Sequence, residues 1–225
     1  DLFVTNLGRN TWLRNEGGGR FADASESAGF LAEGWSTSAA FFDHDRDGAL
    51  DLFVVRYVEW SKGSELPCMD SVGRRDYCSP KSYRAPARSL VYHNEGAGRF
   101  ADVSAASGVL AEPSTGLGVA TGDFDADGWL DVFVANDGHP NHQWRNLHDG
   151  RFENVALRTG SGVDAQGVPK AGMGVVAADL DGDLDLDVLV CNLHGESDSY
   201  YRNEGAFFAD RTPLLALASL SKPFT

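Results

Sequence analysis

The stretch that decides the fold reads Asp123-Phe124-Asp125-Ala126-Asp127-Gly128-Trp129-Leu130-Asp131, and it continues directly into Val132-Phe133-Val134-Ala135. Its aspartates occupy positions 1, 3, 5 and 9 of a nine-residue loop, and a glycine occupies position 6. Carboxylates at this density repel one another unless a hard cation lies between them, and Ca²⁺ accepts roughly six to eight oxygen ligands in flexible geometry. The glycine permits a backbone turn that strains other residues. The loop therefore predicts a calcium site.

The same pattern occurs in two further places along the chain. The first copy matches every position, with Asp43, Asp45, Asp47, Gly48 and Asp51. The third copy matches the carboxylates, Asp179, Asp181, Asp183 and Asp187, but Leu184 replaces the glycine and leaves the turn geometry of this copy open. We therefore predict three Ca²⁺ sites, each with carboxylate ligands from positions 1, 3, 5 and 9. Position 7 is expected to add its backbone carbonyl, from Ala49, Trp129 or Asp185.

The EF-hand is the main competing interpretation of these loops. An EF-hand needs a bidentate Glu at position 12 and flanking helices. Position 12 is Val54, Val134 or Val190, and each loop is followed by β-branched and aromatic residues that are typical of strands. The loops are therefore predicted to connect strands. A metal-free acidic surface turn is the other alternative, which the threefold repetition disfavours.

Charge and hydropathy exclude several classes of partner. The 225 residues carry 33 acidic and 19 basic side chains, for a net charge of −14. This sign argues against nucleic acid as a partner. No apolar run approaches the ~20 residues that a membrane-spanning helix requires, so no membrane span is expected.

Two further patterns accompany each loop and define a repeating unit. A strand of small residues precedes it, at 34–40, 116–122 and 172–178, and a Gly-rich hairpin follows, at 94–102, 146–154 and 203–210, with a further copy at 15–23. The unit is therefore four antiparallel strands. The loops start at Asp43, Asp123 and Asp179, which lie 80 and 56 residues apart, and such spacings are typical of β-propeller blades.

The predicted fold is all-β, a β-propeller of four-stranded antiparallel blades present as a partial arc of about four blades. The expected blades are about 1–30 (inner strand missing), 31–111 (with an insertion at 60–86), 112–164 and 165–212, and 213–225 connects toward a further blade. Asp1 aligns with position 9 of an acidic loop. We therefore expect the chain to begin inside a repeat of a longer propeller and to expose sheet edges at both ends.

These loops and hairpins resemble FG-GAP/VCBS repeats, which are related to the calcium-binding blades of integrin α-subunits. Residues 135–141 and the insertion residues 67–83 also resemble segments of the cartilage-acidic-protein-like family; the matching insertion residues are Cys68, Gly73, Arg75, Asp76, Tyr77, Cys78 and Pro80. The resemblance covers nearly all of the chain. It implies a secreted, seven-bladed, calcium-binding propeller, often with a separate C-terminal domain.

The cysteines and histidines lend themselves to several interpretations. Cys68 and Cys78 flank a short insertion in a chain expected to be extracellular, which favours a disulfide; two free thiols on a surface loop are the alternative. Zinc is disfavoured by their spacing. Cys191 aligns with Ala135 on an apolar strand and is predicted to be a small buried side chain. His139, His142 and nearby His148 are interpreted as ordinary loop histidines rather than as a metal site.

For function, we favour a non-enzymatic extracellular or cell-surface module that binds a protein or carbohydrate ligand. The alternatives are a propeller-scaffold enzyme, such as a calcium-dependent polysaccharide lyase or a phospholipase-like hydrolase, and a spacer between other domains. Candidate acids and bases do not form a recognisable catalytic set: Asp137, His139, His142, Arg74, Arg75 and His194. The ligand face is expected at the end opposite the calcium loops, with these candidate contacts: Trp60, Arg74, Arg75, Tyr77, Asp137 and His139.

Overall fold

The computed structural model describes residues 1–215 and residue 221. Short helices and 3₁₀ turns connect the strands in this part of the chain. The helices are α1 Ser25–Ala28, α2 Pro80–Tyr83, α3 Ser104–Ser107 and α4 Ala156–Thr159, and the 3₁₀ turns are Lys62–Ser64, Val109–Ala111 and Thr212–Leu214. The strands are β1 Leu2–Val4, β2 Leu7–Arg9, β3 Thr11–Gly17, β4 Arg20–Asp23, β5 Glu33–Phe42, β6 Asp51–Arg56, β7 Leu90–Gly96, β8 Arg99–Asp102, β9 Gly116–Gly122, β10 Asp131–Asn136, β11 His142–Asn146, β12 Phe152–Asn154, β13 Gly172–Ala178, β14 Asp187–Asn192, β15 Ser199–Asn203 and β16 Phe208–Asp210.

The strands form four antiparallel sheets that follow the chain in order. The first sheet contains β1, β3 and β4, and the second has the order β2-β5-β6-β7-β8. The third and fourth sheets are four-stranded meanders, β9 to β12 and β13 to β16. The inner strands β5, β9 and β13 lie side by side. The prediction of an all-β arc of propeller blades is confirmed.

Strand β2 was not anticipated from the sequence. It pairs with the beginning of β5, in the register Leu7↔Trp35, Gly8↔Gly34 and Arg9↔Glu33. The later part of β5 pairs with β6, from Ser36↔Arg56 to Phe42↔Asp51. The long inner strand β5 therefore serves two partners, and β2 ties the first repeat to the edge of the second sheet.

Small residues in the inner strands allow neighbouring blades to approach closely. A Cβ atom at Gly116 would lie 2.3 Å from Cγ1 of Val55, and one at Gly118 would lie 3.0 Å from the Met173 carbonyl oxygen. The Thr37 hydroxyl donates to the Gly116 carbonyl oxygen at 2.8 Å, which links the inner strands of the second and third sheets. Larger side chains would push these strands apart.

The hydrophobic core lies between the sheets rather than within one of them. Leu52 and Val54 of β6 pack toward the first sheet, whereas Phe53 and Val55 pack toward the third. All four side chains are fully buried. A strand that is covered on both faces needs an unbroken apolar run, which explains why the strands after the acidic loops do not alternate between apolar and polar residues. The same arrangement follows in β10, where Phe133 packs toward the fourth sheet.

The last sheet has an exposed outer face, and the prediction for Cys191 was wrong. Cys191 is exposed, whereas the equivalent Ala135 is fully buried because the fourth sheet packs against it. Val176 on the neighbouring strand is 47% exposed. Within residues 1–215 no fifth sheet covers this face. Most of the predicted connection 213–225 falls on residues outside the described ranges.

Among the residues that the structure describes, no helix has the length and apolar character that crossing a membrane requires.

Candidate metal centre

The three acidic loops connect inner strands to apolar strands, as the sequence predicts. They join β5 to β6, β9 to β10 and β13 to β14. In each loop, one carboxylate oxygen from each of positions 1, 3 and 5 lies within 4.8 Å of the other two. The three groups are Asp43, Asp45 and Asp47, then Asp123, Asp125 and Asp127, and then Asp179, Asp181 and Asp183.

The backbone of each loop wraps around the carboxylate at position 1. In the second loop, the N–H groups of Asp127 and Gly128 donate to the Asp123 carboxylate at 3.1 and 2.8 Å. The Trp129 N–H then donates to Asp127 at 2.9 Å. Positions 4 and 6 adopt left-handed backbone, with φ of 56° at Ala126 and 87° at Gly128. These turns direct the three carboxylates toward one point.

The donor set fits a hard divalent cation. The Asp43 Oδ1 atom is buried and has no hydrogen-bond partner among the described residues. A buried carboxylate oxygen without a partner costs free energy unless a cation or a donor neutralises it. Three carboxylates that converge on one point are oxygen ligands of the kind that Ca²⁺ prefers. The predicted carbonyl ligands Ala49, Trp129 and Asp185 stay a prediction.

The aspartates at position 9 have a second role that the sequence did not indicate. Asp131 is buried, and its carboxylate accepts the N–H of Phe124 at 3.2 Å and the N–H of Asn146 at 2.8 Å. Asp187 repeats this pattern with Leu180 at 3.2 Å and Asn203 at 2.8 Å. Each position 9 carboxylate therefore closes its loop and ties it to the third strand of the blade. Their participation as metal ligands, predicted for Asp51, Asp131 and Asp187, is not tested by these contacts.

Asparagines at the start of the hairpins join each loop to the loop of the preceding blade. The Asn146 side-chain amide donates to the His44 carbonyl oxygen at 2.8 Å, and the Asn203 amide donates to the Phe124 carbonyl oxygen at 2.9 Å. Both asparagines are buried. Each of these loops is therefore hydrogen-bonded directly to the next blade.

The position 9 carboxylates differ in how their charge is compensated. Burial raises the pKa of Asp131 to about 7, and the Asp125 and Asp127 carboxylates add to this effect. Burial also opposes ionisation of Asp51, but the His44 side chain and the backbone N–H groups of Asn94 and His44 outweigh it, so the pKa of Asp51 is lowered. To be ionised, Asp131 therefore needs a nearby cation more than Asp51 does.

The opposite end of the blades contains the predicted ligand face. The Tyr57 hydroxyl donates to Asp137 at 2.5 Å, and His139 Nδ1 lies 2.9 Å from the Thr115 hydroxyl. Asp137 is thus engaged in a connection between two blades, whereas the His139 contact lies within the blade of β9 and β10. Trp60 donates from its indole N–H to Glu65 at 2.6 Å.

The most accessible predicted contacts lie in the insertion. Arg74 pairs with Asp70 at 2.9 Å through an exposed guanidinium, Arg75 is also exposed, and Tyr77 is 98% exposed. A disulfide joins Cys68 to Cys78, with a Cα–Cα distance of 5.3 Å, so the predicted bridge is confirmed. The bridge closes the segment that presents Tyr77 and Arg75.

The sequence of this chain is similar to a known repeat family and to proteins of known name. The FG-GAP-like repeat family matches this chain over residues 1–54, 73–134 and 123–190. Cartilage acidic protein 1 of Mus musculus is 29% identical over 160 residues, and that of Homo sapiens is 28% identical over 160 residues. Each match covers 70% of this chain and 23% of the relative, so the chain spans less than a quarter of the length of these relatives.

Among solved structures, a lectin of Agrocybe aegerita described as recognising non-reducing terminal N-acetylglucosamine aligns with a TM-score of 0.49 and 18% identity. The alignment covers 92% of this chain and 50% of the lectin chain. The fold assignment does not depend on this alignment, because it follows from the sheets described above.

Proposed function

The chain belongs to the FG-GAP-like repeat family, and from this premise we propose that it is a calcium-stabilised, non-enzymatic binding module of an extracellular protein. The observation that carries the proposal is the convergence of three aspartates in each of three loops, with their oxygens within 4.8 Å. The loops are built alike and lie at the same end of successive blades. The Cys68–Cys78 disulfide supports an oxidising, extracellular location.

Calcium acts as a structural ion in this proposal. Each loop joins the two innermost strands of its blade. In addition, Asn146 binds the first loop from the next blade, and Asn203 binds the second loop from the blade after that. Repulsion among unneutralised carboxylates destabilises both the strand pair within the blade and the hydrogen bond to the neighbouring blade. Because the unfolded chain lacks a preformed site, the free energy of ion binding contributes to the free energy of folding.

Ligand binding is assigned to the end that carries the insertion. Tyr77 and Arg75 are exposed there on a disulfide-closed segment, and Tyr and Arg are enriched in binding hot spots. A protein or carbohydrate ligand fits a pocket that is lined by both an aromatic residue and an arginine.

A calorimetric titration tests the calcium role. Chelator-treated protein is titrated with Ca²⁺ and, separately, with Mg²⁺, and thermal unfolding is followed by circular dichroism with and without each ion. We expect up to three Ca²⁺ ions per chain, with Kd values of ~10⁻⁴–10⁻³ M as in extracellular modules, and a higher Tm in calcium. Unfolding curves that superimpose with calcium and with chelator would contradict the structural role.

A further inference from the structure

A second kind of ligand group lies beside the first acidic loop. One atom from each of His44, Asp45, Asp51 and His93 lies within 4.8 Å of the other three. His93 Nδ1 is 3.0 Å from Asp51 Oδ1 and 3.3 Å from Asp45 Oδ2, and His44 Nδ1 contacts Asp51 Oδ2. The side chains of His44 and Asp51 are 4% and 0% exposed. Two imidazoles and two carboxylates therefore converge at one point, with His44 and Asp51 buried and the His93 and Asp45 side chains 31% and 32% exposed.

This donor set differs in kind from the acidic loops. Imidazole nitrogen suits zinc and other late first-row metals, whereas Ca²⁺ takes oxygen ligands. In a tetrahedral zinc site with Zn–N and Zn–O bonds of about 2.0–2.1 Å, neighbouring ligand atoms lie roughly 3.3 Å apart. The separations from His93 to Asp45 and Asp51 fit that value. The His93 side of the group therefore matches a four-coordinate transition-metal site, and His44 Nδ1 would have to move away from Asp51 to let an ion enter between them.

The carboxylate at the centre of the group is already held in place. Asp51 accepts the Asn94 N–H at 2.8 Å and the His44 N–H at 3.1 Å. Such outer hydrogen bonds orient metal-ligating carboxylates and contribute to metal affinity. An incoming ion would replace the direct contacts of His44 and His93 with Asp51, while the two backbone N–H groups keep the carboxylate oriented.

The other repeats show that the fold does not require these histidines. The positions of His44 and His93 are occupied by Phe124 and Arg145 in the next blade. Asp131 nevertheless makes the same two backbone hydrogen bonds as Asp51. Leu180 and Arg202 take these positions in the last blade. The paired histidines are thus an addition to one blade, placed where their nitrogens meet two carboxylates.

An entry path leads to the group from solvent. His44, Asp45 and His93 line one side of a cavity of about 340 Å³, and Trp129, His148 and Arg151 of the next blade line the other.

We propose that His44, Asp45, Asp51 and His93 form a binding site for Zn²⁺ or a similar divalent transition metal, distinct from the calcium ions. Asp45 belongs to both groups, and Asp51 is also a predicted ligand of the first calcium ion, so these two carboxylates would be shared between neighbouring ions.

Cobalt provides a spectroscopic probe for this site. The full chain is titrated with Co²⁺ in excess Ca²⁺, and Zn²⁺ is then added as a competitor. We expect one Co²⁺ per chain with the intense visible absorption of tetrahedral coordination, and displacement by Zn²⁺. Absence of saturable Co²⁺ and Zn²⁺ binding at one ion per chain would overturn the proposal.

The double variant His44→Phe/His93→Arg removes both nitrogens with the residues that the next blade already carries at these positions. Its Co²⁺ and Zn²⁺ affinity should fall by at least about 100-fold, since even loss of an outer-shell partner typically costs 10–100-fold. His148→Ala, in the same cavity but outside the group, is the matched control and should retain binding. Unchanged affinity in the double variant would contradict the assignment.

His93→Gln keeps a hydrogen-bonding side chain at the position and serves as a second variant if the double variant is unstable. It should show the same loss of Co²⁺ absorption. The calcium-dependent Tm shift of each variant is measured in parallel. Retention of that shift alongside loss of Co²⁺ separates this site from the calcium loops, and loss of the shift without loss of Co²⁺ would contradict only the calcium proposal.

Discussion

The second and third acidic loops carry the same four aspartates at the same spacing, yet the protein surrounds them differently. In the third loop, the Arg202 guanidinium contacts Asp181 and lies 3.0 Å from Asp183. The equivalent Arg145 instead contacts Glu153 on the adjacent strand at 3.5 Å. The third loop therefore receives a guanidinium from its own blade, whereas the second loop receives the imidazole of His148, whose Nε2 lies 2.6 Å from Asp127.

The cause of this difference lies across the hairpin. Arg145 is paired in register with Glu153, whereas Arg202 is paired with Ala209. Glu153 on the neighbouring strand holds Arg145 beside it. Arg202 has no carboxylate opposite it in register, and its guanidinium contacts the third loop and also Glu204, at 3.2 Å. The comparison shows that aspartate spacing defines the shape of a site, while the side chains across the hairpin influence how strongly that site needs an external cation.

Removing a carboxylate at position 3 should give the largest effect, and it should differ between the loops. At a calcium concentration of about 100 times Kd, one site stabilises the fold by about 2.7 kcal/mol. Asp125→Asn should remove most of the calcium-dependent stabilisation that the second loop provides. Asp181→Asn should remove less, because Arg202 already offsets part of the charge. Thermal unfolding in calcium and in chelator measures both differences.

The two asparagine variants control for each other, since both retain the size of the side chain and differ only in the loop. Equal losses in the two variants would mean that Arg202 does not compete with the ion. A larger loss in Asp181→Asn would reverse the proposed order of the sites.

The buried Asp131 predicts an unusual pH dependence in calcium-free protein. Its pKa is raised from 3.8 to about 7 by burial first, with Asp125 and Asp127 contributing. A carboxyl group whose pKa is higher in the folded chain stabilises the fold while it is protonated, and this contribution disappears as the pH rises through the folded pKa. Between pH 5 and pH 8 the apo chain should therefore lose about 2–3 kcal/mol of unfolding free energy.

Denaturant unfolding at pH 5 and pH 8 in chelator measures this loss, and Asp131→Asn should remove it. Calcium should also reduce it, because a nearby cation favours the ionised carboxylate. The change in unfolding free energy between pH 5 and pH 8 is compared in the two calcium-free proteins. If the wild type loses no more than the Asp131→Asn variant, Asp131 does not need a cation.

Backbone strain separates the same two loops. Leu184 at position 6 has φ of 77°, where the second loop has Gly128 at 87°. Left-handed backbone costs a residue with a side chain about 1–2 kcal/mol relative to glycine. Leu184 is 93% exposed, so its side chain offers little packing in return. Leu184→Gly should therefore stabilise the chain by about 1 kcal/mol, reduced by the greater freedom of glycine in the unfolded state.

The reverse substitution, Gly128→Leu, is the matched partner and should destabilise by more. A Cβ at Gly128 would lie 2.6 Å from the Arg46 guanidinium, so the end of this flexible side chain would also have to leave its place over the Trp129 ring. Urea unfolding of both variants in calcium tests the pair. If Leu184→Gly proves destabilising, the side chain makes a contribution that its exposure does not indicate.

Local signals explain which parts of this molecule could be predicted from the sequence. The spacing of the aspartates and the apolar runs after them are each contained in about a dozen residues, and they correctly indicated strand-connecting loops. The pairing of β2 with β5, the link from Asn146 to His44 and the meeting of His44 with His93 all depend on which distant strands come together. Cys191 was assigned to the core because its alignment with Ala135 assumed a neighbouring sheet on both sides. Sequence alignment of repeats carries no information about which repeat lies at an exposed face.

The smallest expected effect concerns calcium affinity at the third loop. It tests why the second and third loops differ, namely whether Arg202 competes with Ca²⁺ and whether the residue across the hairpin directs the arginine. Arg202→Gln removes the guanidinium from Asp181 and Asp183 while keeping a polar side chain on β15. Because a positive charge in the loop repels Ca²⁺ and occupies its ligands, the variant should bind calcium roughly three- to tenfold more tightly at this site.

Ala209→Glu leaves Arg202 in place but supplies the cross-strand carboxylate that Arg145 has in Glu153, so it should shift affinity in the same direction by attracting the guanidinium away. Glu153→Ala is the converse and should weaken the second loop by releasing Arg145 toward Asp125. Calcium titrations of the three variants distinguish the explanations: if Arg202→Gln tightens binding and the two cross-strand variants do not change it, the arginine competes with the ion, but its direction is not set by the residue across the hairpin.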